Sequence, residues 1–373
     1  MSKESTKQRK LEHIELTLKE NVETKAFITF DDVRLIHNAL PEANLDDIDT
    51  KVKFLGYTLN APLIISAITG GHPATYKINK AIAEAISELK LGMGVGSQRA
   101  ALEEPSVKYT FTVVREVASD RPIIANIGIA QLVKEYNIEK IIKIIDMVQA
   151  DALAVHLNPA QESFQPEGDV IFKGALKALE KLVNEISIPI IIKEVGTGLS
   201  REVVYSLAGI GIKYFDVAGA GGTNWILIEL LRAETAGREE VKNIGRHFIE
   251  WGIPTPLSII EVFYTVPYSY IIGSGGIRTG LDIAKALALG ADITAIAKPA
   301  LEKAVKGTHE LIDLLKRLII ELKIAMFLCG CNYTYELYRA PIVLSNKLIK
   351  YLEYRGIDIK KYERLRSMKS SIR

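Results

Sequence analysis

The sequence predicts a single (β/α)₈ barrel, a TIM barrel, with an N-terminal arm, an insertion after the sixth strand and C-terminal helices. Two observations favour this fold. Eight short apolar runs without alternation, typical of strands buried on both faces, recur between residues 61 and 330. Longer amphipathic segments lie between these runs, as expected for the helices around a parallel barrel. A doubly wound open sheet is the alternative, but it usually has fewer strands and a glycine fingerprint after its first strand.

The predicted elements follow one another in regular order. The strands are Pro62–Ala67, Leu91–Gly96, Pro122–Asn126, Ala152–His156, Pro189–Lys193, Tyr214–Ala218, Tyr270–Gly273 and Ile293–Ala297. The helices are Ala74–Leu89, Ser106–Val117, Ile138–Val148, Asp169–Asn184, Arg201–Ala208, Leu257–Tyr264, Thr279–Ala288 and Leu301–Phe327.

Three decorations complete the predicted domain. Residues 1–60 form an arm and cap, in which Lys53–Asn60 resembles a short hairpin or barrel lid. The insertion covers about residues 219–251 of the barrel region 61–330, and residues 331–373 form a helical extension. No linker rich in proline or serine divides the chain, so we expect one domain overall.

Composition excludes several classes of protein. The 373 residues are 48% apolar and 25% charged, which argues against disorder. A net charge of only +2 gives no reason to expect a nucleic acid or a membrane surface as partner. The start of the chain is hydrophilic, and no apolar run approaches the roughly 20 residues of a membrane span. Cys329 and Cys331 cannot build a disulfide framework, so we expect a reducing cytoplasm and buried, inert thiols.

Polar residues follow the end of every predicted strand, where barrels of this class bind ligands. In strand order they are Ser66 and Thr69; Ser97, Gln98 and Arg99; Asn126; His156, Asn158, Gln161 and Glu162; Lys193 and Glu194; Thr223 and Asn224; Ser274 and Arg278; and Lys298. A barrel that served only as a scaffold would not need this concentration of polar groups. The sequence therefore predicts an active site there.

The segment Gly273–Gly280, which reads Gly-Ser-Gly-Gly-Ile-Arg-Thr-Gly, predicts a phosphate site. Glycines permit close backbone approach, and successive N–H groups at a helix start attract an anion. Arg278 adds a planar fork of donors, and Lys298 after the eighth strand completes the site. The alternative is that Gly275 and Gly276 only form a tight turn.

Lys193 suggests which phosphate compound binds. A lysine inside the barrel mouth needs an anionic partner, and a reduced flavin supplies one at its N1/O2 edge. Thr69, Ser97 and Asn126 could then bond the polar edge of the ring. The alternatives are an ion pair of Lys193 with Glu194 or Asp216, and an ordinary core asparagine at position 126.

A second anion site is predicted from the arm and the fourth strand. Arg9, Lys10 and His13 could join Arg99 around a diphosphate, although Arg9 and Lys10 alone resemble a solvated pair. Glu162 is a hard carboxylate of the kind that, with substrate phosphate oxygens, binds Mg²⁺. His156 and Asn158 could contact the same phosphate; a core histidine bonded to backbone is the alternative for His156.

Absent motifs narrow the chemistry further. The sequence has no HExxH, no paired-cysteine zinc site, no GxSxG elbow and no Walker loop. The strand ends also lack the cysteine or tyrosine–histidine pair that supplies an acid or base in common flavin oxidoreductases. The sequence therefore predicts a flavin barrel that holds a magnesium diphosphate.

These residues resemble the type 2, FMN-dependent isopentenyl-diphosphate delta-isomerases over essentially the whole chain. The resemblance rests on the segments Arg9–His13, Ile68–Gly71, Gly94–Arg99, Asn126–Gly128, His156–Glu162, Lys193–Gly196, Gly219–Trp225 and Gly275–Arg278. The combination of the arm with Ser-Gln-Arg and His-Leu-Asn-Pro-Ala-Gln-Glu is its most specific part. Ile68 departs from the methionine that the family often has there, an apolar change that leaves the assignment intact.

The resemblance implies a set of contacts and cofactors. It implies FMN contacts from Ala67, Ile68, Thr69, Ser97, Asn126, Lys193, Thr223, Gly275, Gly276, Ile277, Arg278, Ala297 and Lys298. It implies diphosphate contacts from Arg9, Lys10, Arg99, His156 and Asn158, substrate placement by Gln161 and Mg²⁺ on Glu162. The resemblance also implies the reaction, an interconversion of isopentenyl and dimethylallyl diphosphate in isoprenoid biosynthesis, with FMN kept reduced by NAD(P)H or another donor. It further implies a homo-oligomer of four or eight copies.

Gln161 is the predicted catalytic side chain, acting together with FMN as acid and base. A glutamine has no useful acidic or basic pKa, so it would position the alkene or relay a proton through water. Two other classes remain open: an FMN barrel oxidoreductase of the hydroxy-acid oxidase or dehydrogenase type, and a non-enzymatic phosphate-binding protein.

Overall fold

The structure, a computed structural model that describes residues 6–369, contains a closed barrel of eight parallel strands. The strands are β1 (Leu63–Ile65), β2 (Gly92–Gly94), β3 (Ile123–Gly128), β4 (Ala152–His156), β5 (Ile190–Lys193), β6 (Tyr214–Asp216), β7 (Tyr270–Ser274) and β8 (Ile293–Ile296). Each pairs with its sequence neighbours, and β8 pairs with β1 to close the ring. The predicted (β/α)₈ barrel is confirmed.

Helices follow every strand of the barrel. In chain order they are Thr75–Leu89 after β1; Arg99–Glu103 and Tyr109–Val117 after β2; Ile129–Lys134 and Ile138–Met147 after β3; Pro159–Phe164 and Ala175–Glu185 after β4; and Arg201–Gly209 after β5. Trp225–Thr235, Glu239–Gly245 and Thr255–Thr265 follow β6, Gly280–Leu289 follows β7, and Lys298–Ala304 and Thr308–Leu328 follow β8. Further helices, Thr6–Lys19, Asn346–Tyr354 and Ile359–Lys369, lie outside the barrel repeat.

Two predicted helices are wrong in extent. The helix predicted from Asp169 begins only at Ala175, because the Asp169 N–H donates to Glu162 and Gly174 has a left-handed backbone (φ +95°). The helix predicted over Leu301–Phe327 is two helices, broken at Gly307, whose φ of +149° a helix cannot contain.

A hairpin closes the amino-terminal end of the barrel. Its strands are Val52–Phe54 and Tyr57–Leu59, and the buried Phe54 packs on Tyr270 at the start of β7. The Tyr57 hydroxyl donates to Asp151, which directly precedes β4, at 2.8 Å. The hairpin prediction is confirmed, and its position leaves the carboxyl ends of the strands open.

The C-terminal segment contains a strand that the helical prediction missed. Ile342–Leu344 pairs antiparallel with Val33–Leu35, outside the barrel. The final helix is held by a buried ion pair of 3.0 Å between Lys369 Nζ and Asp292. Within residues 6–369 no helix is long and apolar enough to cross a membrane.

Candidate functional site

A cavity of about 200 Å³ opens at the carboxyl ends of the strands. The residues predicted to contact FMN, diphosphate or Mg²⁺ all line it: Arg9, Lys10, Ala67, Ile68, Thr69, Ser97, Arg99, Asn126, His156, Asn158, Gln161, Glu162, Lys193, Thr223, Gly275, Gly276, Ile277, Arg278, Ala297 and Lys298. The fold thus brings the whole predicted set together, from the arm and from the end of each barrel strand except β6, whose loop contributes Thr223. The contacts described next distinguish what each part of the cavity can do.

The loop after β7 packs backbone to backbone on the loop after β6. Gly275 and Gly276 have φ of +101° and +79°, and a Cβ at Gly276 would lie 2.5 Å from the Gly221 carbonyl oxygen. Thr255 Oγ1 donates to the Gly275 carbonyl at 2.7 Å. Both glycines are therefore required by backbone conformation and by close packing, which the tight-turn alternative explains as well as a phosphate site does. We call this loop the glycine cradle.

Two cations stand beside this cradle and share a carboxylate. Glu23 Oε1 lies 2.8 Å from Arg278 Nη2 and 3.4 Å from Lys298 Nζ. Burial opposes ionisation of Glu23, but the two cations lower its pKa below the usual value. Sequence reasoning missed Glu23, which reaches this place because its backbone bridges to Thr223.

Lys193 lies at the mouth of the barrel and is 9% exposed. Its ammonium donates to the Glu194 carbonyl oxygen at 2.9 Å and lies 3.6 Å from Asp216 Oδ2. The alternative ion pair with Asp216 is therefore present, and Lys193 also lines the cavity. The pair with the Glu194 carboxylate is not formed, because that carboxylate accepts from the N–H groups of residues 195, 196 and 197.

Thr69 Oγ1 and Asn158 Oδ1 are buried polar atoms without a hydrogen-bond partner among the described residues. The third such atom, His13 Nε2, still has its ion-pair contact with Glu229. A buried polar atom left without a partner costs about 1–3 kcal/mol. Because Thr69 and Asn158 both line the cavity, their unused bonding capacity indicates a polar ligand there.

Asn126 fixes the protonation of His156. Asn126 Nδ2 donates to the Val95 carbonyl at 3.1 Å, so its Oδ1 is the acceptor, 2.8 Å from His156 Nδ1. Burial, with the charges of Lys10, Lys193 and Arg9, lowers the pKa of His156 to about 3. The imidazole is therefore neutral with its proton on Nδ1, and Nε2 can donate to a phosphate oxygen only after taking up a proton. The alternative of a bond to backbone is wrong for Nδ1.

The short helix Pro159–Phe164 presents the carboxylate predicted to bind a metal. Glu162 is 9% exposed; its Oε1 accepts from Asn158 Nδ2 at 3.0 Å and its Oε2 from the Asp169 N–H at 2.7 Å. Burial raises the pKa of Glu162, while these hydrogen bonds oppose the shift. In the part of the chain that the structure describes, no three His, Cys, Asp or Glu residues form a ready-made metal cluster.

Gln161 belongs to a buried charged network that sequence reasoning missed. Its Nε2 donates to Glu229 Oε1 at 2.8 Å, and His13 Nε2 lies 3.0 Å from the same oxygen. Arg232 holds the other carboxylate oxygen at 2.8 Å. Burial would raise the pKa of Glu229, but His13, Arg232 and the Gln161 bond lower it to about 2. Gln161 therefore donates to an ionised carboxylate that is already paired with Arg232.

The N-terminal helix Thr6–Lys19 lies over this network. Arg9 is bound to Glu167 at 3.3 Å, and Glu12 is bound to Arg232 at 3.0 Å. Burial and the neighbouring Arg9 lower the pKa of Lys10 to about 7. The alternative of a solvated Arg9–Lys10 pair is wrong, because both residues line the cavity.

Several polar residues at the strand ends, and both cysteines, have roles in the fold instead. Gln98 is fully buried, donates to the Ile144 carbonyl and accepts from the Asn126 N–H. Asn224 caps the helix Trp225–Thr235 through the Leu227 N–H. Cys329 and Cys331 are unpaired, and burial raises the pKa of the Cys331 thiol to about 12, so it is inert.

Comparison with known proteins identifies the class of barrel to which this chain belongs. The family model of the FMN-dependent dehydrogenases matches residues 145–344. Among solved structures, a mandelate oxidase mutant with an FMN adduct matches with a TM-score of 0.59 at 16% identity, over 85% of this chain and 89% of the other. A lactate oxidase of Pediococcus acidilactici matches with a TM-score of 0.62, also at 16% identity, over 84% of each chain. These structures share the fold.

Sequence relatives define the family more narrowly. The isopentenyl-diphosphate delta-isomerase of Sulfurisphaera tokodaii is 48% identical over 96% of this chain and 97% of its own. That of Ignicoccus hospitalis is 49% identical over 91% and 94%, and that of Methanothrix thermoacetophila 48% over 95% and 98%. The chain belongs to the isopentenyl-diphosphate delta-isomerases.

Proposed function

We propose that this enzyme interconverts isopentenyl diphosphate and dimethylallyl diphosphate with reduced FMN and Mg²⁺ in the described cavity. The observation that carries the proposal is that two separate groups of basic side chains line one cavity. Arg278, Lys298 and the glycine cradle form one, and the arm with the loop after β4 forms the other. One site suits the phosphate of FMN, and the other suits the substrate diphosphate.

The residues present fit FMN. The backbone cradle at Gly275 and Gly276 would hold its phosphate, with Arg278 and Lys298 beside it. Thr69 Oγ1, which has no hydrogen-bond partner among the described residues, would contact the polar edge of the ring. Lys193 would contact the same edge. When bound in its reduced form, FMN supplies an electron-rich ring that can give and take a proton without net oxidation.

Gln161 would position the reacting alkene. Its amide nitrogen is held by Glu229, and its Oε1 lies 3.2 Å from Asn158 Nδ2, so the side chain has a defined orientation in the cavity. The fully buried Glu229 carboxylate is paired with Arg232 at 2.8 Å, so its main effect is to hold Gln161 in place rather than to offer an unpaired negative charge. Gln161 and Glu229 therefore serve to orient the substrate, and neither side chain has a pKa suited to proton transfer near pH 7.

Glu162 would bind Mg²⁺ together with the oxygens of the diphosphate. Magnesium typically takes one or two carboxylates and keeps several waters, so a single buried carboxylate beside cations fits the role. Arg9, Lys10 and Arg99 would hold the remaining phosphate oxygens, which fixes the prenyl chain for reaction. His156 would add a donor once the diphosphate raises its pKa and Nε2 becomes protonated.

Three further features belong to the proposal. NAD(P)H would keep the flavin reduced, and the reducing cytoplasm would preserve it, as the resemblance to the type 2 enzymes implies. The chain would assemble into a homo-oligomer of four or eight copies. The exposed apolar side chains Ile320, Ile324 and Leu328 on the helix Thr308–Leu328 support such an interface.

Anaerobic incubation of isopentenyl diphosphate with the enzyme, reduced FMN and Mg²⁺ in deuterated water tests the function. We expect dimethylallyl diphosphate with deuterium at the carbon that receives the proton, detected by NMR. The oxidation state of the flavin should show no net change. No turnover here, together with flavin reduction by a 2-hydroxy acid, would favour the oxidoreductase alternative. A colourless protein that takes up no FMN would exclude both enzymes.

A further inference from the structure

Asp216 at the end of β6 is a buried carboxylate without a role in the site as described. It is 4% exposed and lines a small cavity of about 20 Å³ inside the barrel, below the main one. Ser66, Ala67, Asn126 and Lys193 line both cavities, whereas Asp216 lines only the small one. Asp216 therefore acts on any ligand through its neighbours.

Asp216 and the Glu194 carbonyl oxygen, which accepts from Lys193 Nζ at 2.9 Å, together hold Lys193 in place. Asp216 Oδ2 lies 3.6 Å from Lys193 Nζ, and Asp216 Oδ1 accepts from the Ser274 hydroxyl. Ser274 is fixed in turn, because the Ala218 N–H donates to its Oγ at 3.1 Å. Three neighbouring strands thus contribute to one chain of contacts. β5 supplies the lysine, β6 the carboxylate that faces it, and β7 the hydroxyl that donates to the carboxylate.

The pair also sets the charge that a ligand meets. A lone ammonium at the barrel mouth would present a full positive charge in a medium of low dielectric constant, where electrostatic effects are strong. With Asp216 behind it, the net charge is close to zero and the pair acts as a dipole, positive end toward the cavity. An anionic ring is then stabilised less than by Lys193 alone.

We propose that Asp216 is a positioning residue that holds Lys193 Nζ at the cavity and, by partly cancelling its charge, lowers the reduction potential of the bound FMN. The inference rests on the proposed binding of FMN in the main cavity. Reduced FMN carries the negative charge that Lys193 would stabilise, so a weaker positive field disfavours reduction. A lower potential keeps the reduced ring electron-rich, which suits a reaction that needs no net electron transfer.

The test is the reduction potential of bound FMN in the holoenzyme and three variants. Asp216→Asn keeps the shape and removes the charge; we expect the ratio of oxidised-FMN to reduced-FMN dissociation constants to rise about tenfold, or about 30 mV for a two-electron couple. Ser274→Ala removes the hydroxyl that donates to Asp216, so the negative charge of the carboxylate acts more strongly on Lys193. The reduction potential should therefore fall, by less than it rises in Asp216→Asn. Asp151→Asn is the matched control, because Asp151 pairs with Arg115 at 2.7 Å at the other end of the barrel; its potential should equal that of the wild type.

The outcomes separate the two proposals. An unchanged potential in a folded Asp216→Asn holoenzyme would overturn the inference while leaving the proposed function intact. If that variant does not fold, an unchanged potential in Ser274→Ala decides against it in the same way. A wild-type chain that binds no FMN refutes the proposed function itself.

Discussion

Gln161 Nε2 and Glu229 Oε1 are joined by a hydrogen bond of 2.8 Å across 68 residues of chain. The bond links the loop after β4 to the helix Trp225–Thr235 in the insertion after β6. It gives the one predicted catalytic side chain a fixed orientation, which an amide without acid or base strength needs in order to act at all.

Replacing Gln161 by alanine should lower kcat about 100-fold while FMN stays bound. Loss of positioning on the order of 1 Å costs about this much in rate, and the phosphate cradle lies on other strands. Steady-state kinetics and the flavin absorbance of the purified variant measure the two effects separately. Gln8→Ala, an exposed glutamine on the N-terminal helix, is the control. Near-normal isomerisation in Gln161→Ala would remove this residue from the mechanism.

Replacing Glu162 by glutamine should raise the Mg²⁺ concentration needed for half-maximal activity by about tenfold or more. Even residues beyond the direct ligands typically change metal affinity 10–100-fold, and a carboxamide oxygen lacks the charge that Mg²⁺ prefers. The amide still accepts the Asp169 N–H, so the loop should stay folded. Glu185→Gln, on the helix Ala175–Glu185 and not among the residues that line the cavity, should leave the titration unchanged. An unaltered Mg²⁺ titration in the Glu162 variant contradicts the ligand assignment.

Lys10 should make substrate binding sensitive to pH. Burial and Arg9 lower its pKa to about 7 in the free enzyme, so above pH 7 the neutral form dominates and a diphosphate loses a cation. KM for isopentenyl diphosphate should therefore rise above pH 7, approaching about tenfold per pH unit beyond pH 8. Arginine stays charged throughout this range, so Lys10→Arg should flatten the profile. A wild-type KM that is constant from pH 7 to 9 would contradict the prediction.

The barrel was predictable because each strand is an uninterrupted apolar run such as Ile190–Lys193, which signals burial on both faces. The meeting of the site residues in one cavity was predictable for the same reason, since all eight strands end at the same rim of the barrel. The helix Pro159–Phe164 was missed because six residues are too short to show helical periodicity. Its position nevertheless determines where Gln161 and Glu162 point.

The charged network could be predicted only in part. Glu229 and Arg232 pair with His13 and Glu12, residues more than 200 positions away, and no local pattern reports such a distance. One signal was present: both charges lie in a helix otherwise rich in buried isoleucine and leucine, where an ion is found only with a partner. Glu23 carried no such signal, because an exposed-looking acid in a polar segment is ordinary.

Gly276→Ala should weaken FMN binding by about tenfold or more and lower the melting temperature. Alanine must adopt a φ of +79° and place its Cβ 2.5 Å from the Gly221 carbonyl oxygen, which forces the loops after β6 and β7 apart. Gly237→Ala is the matched control: its φ of +70° imposes similar strain, but nothing lies within 4 Å of the new Cβ. The control should therefore show only the strain cost of about 1 kcal/mol and wild-type FMN affinity, measured by fluorescence titration of the FMN-free protein. Equal FMN affinity in the two variants would mean that the contact between these loops does not shape the phosphate cradle.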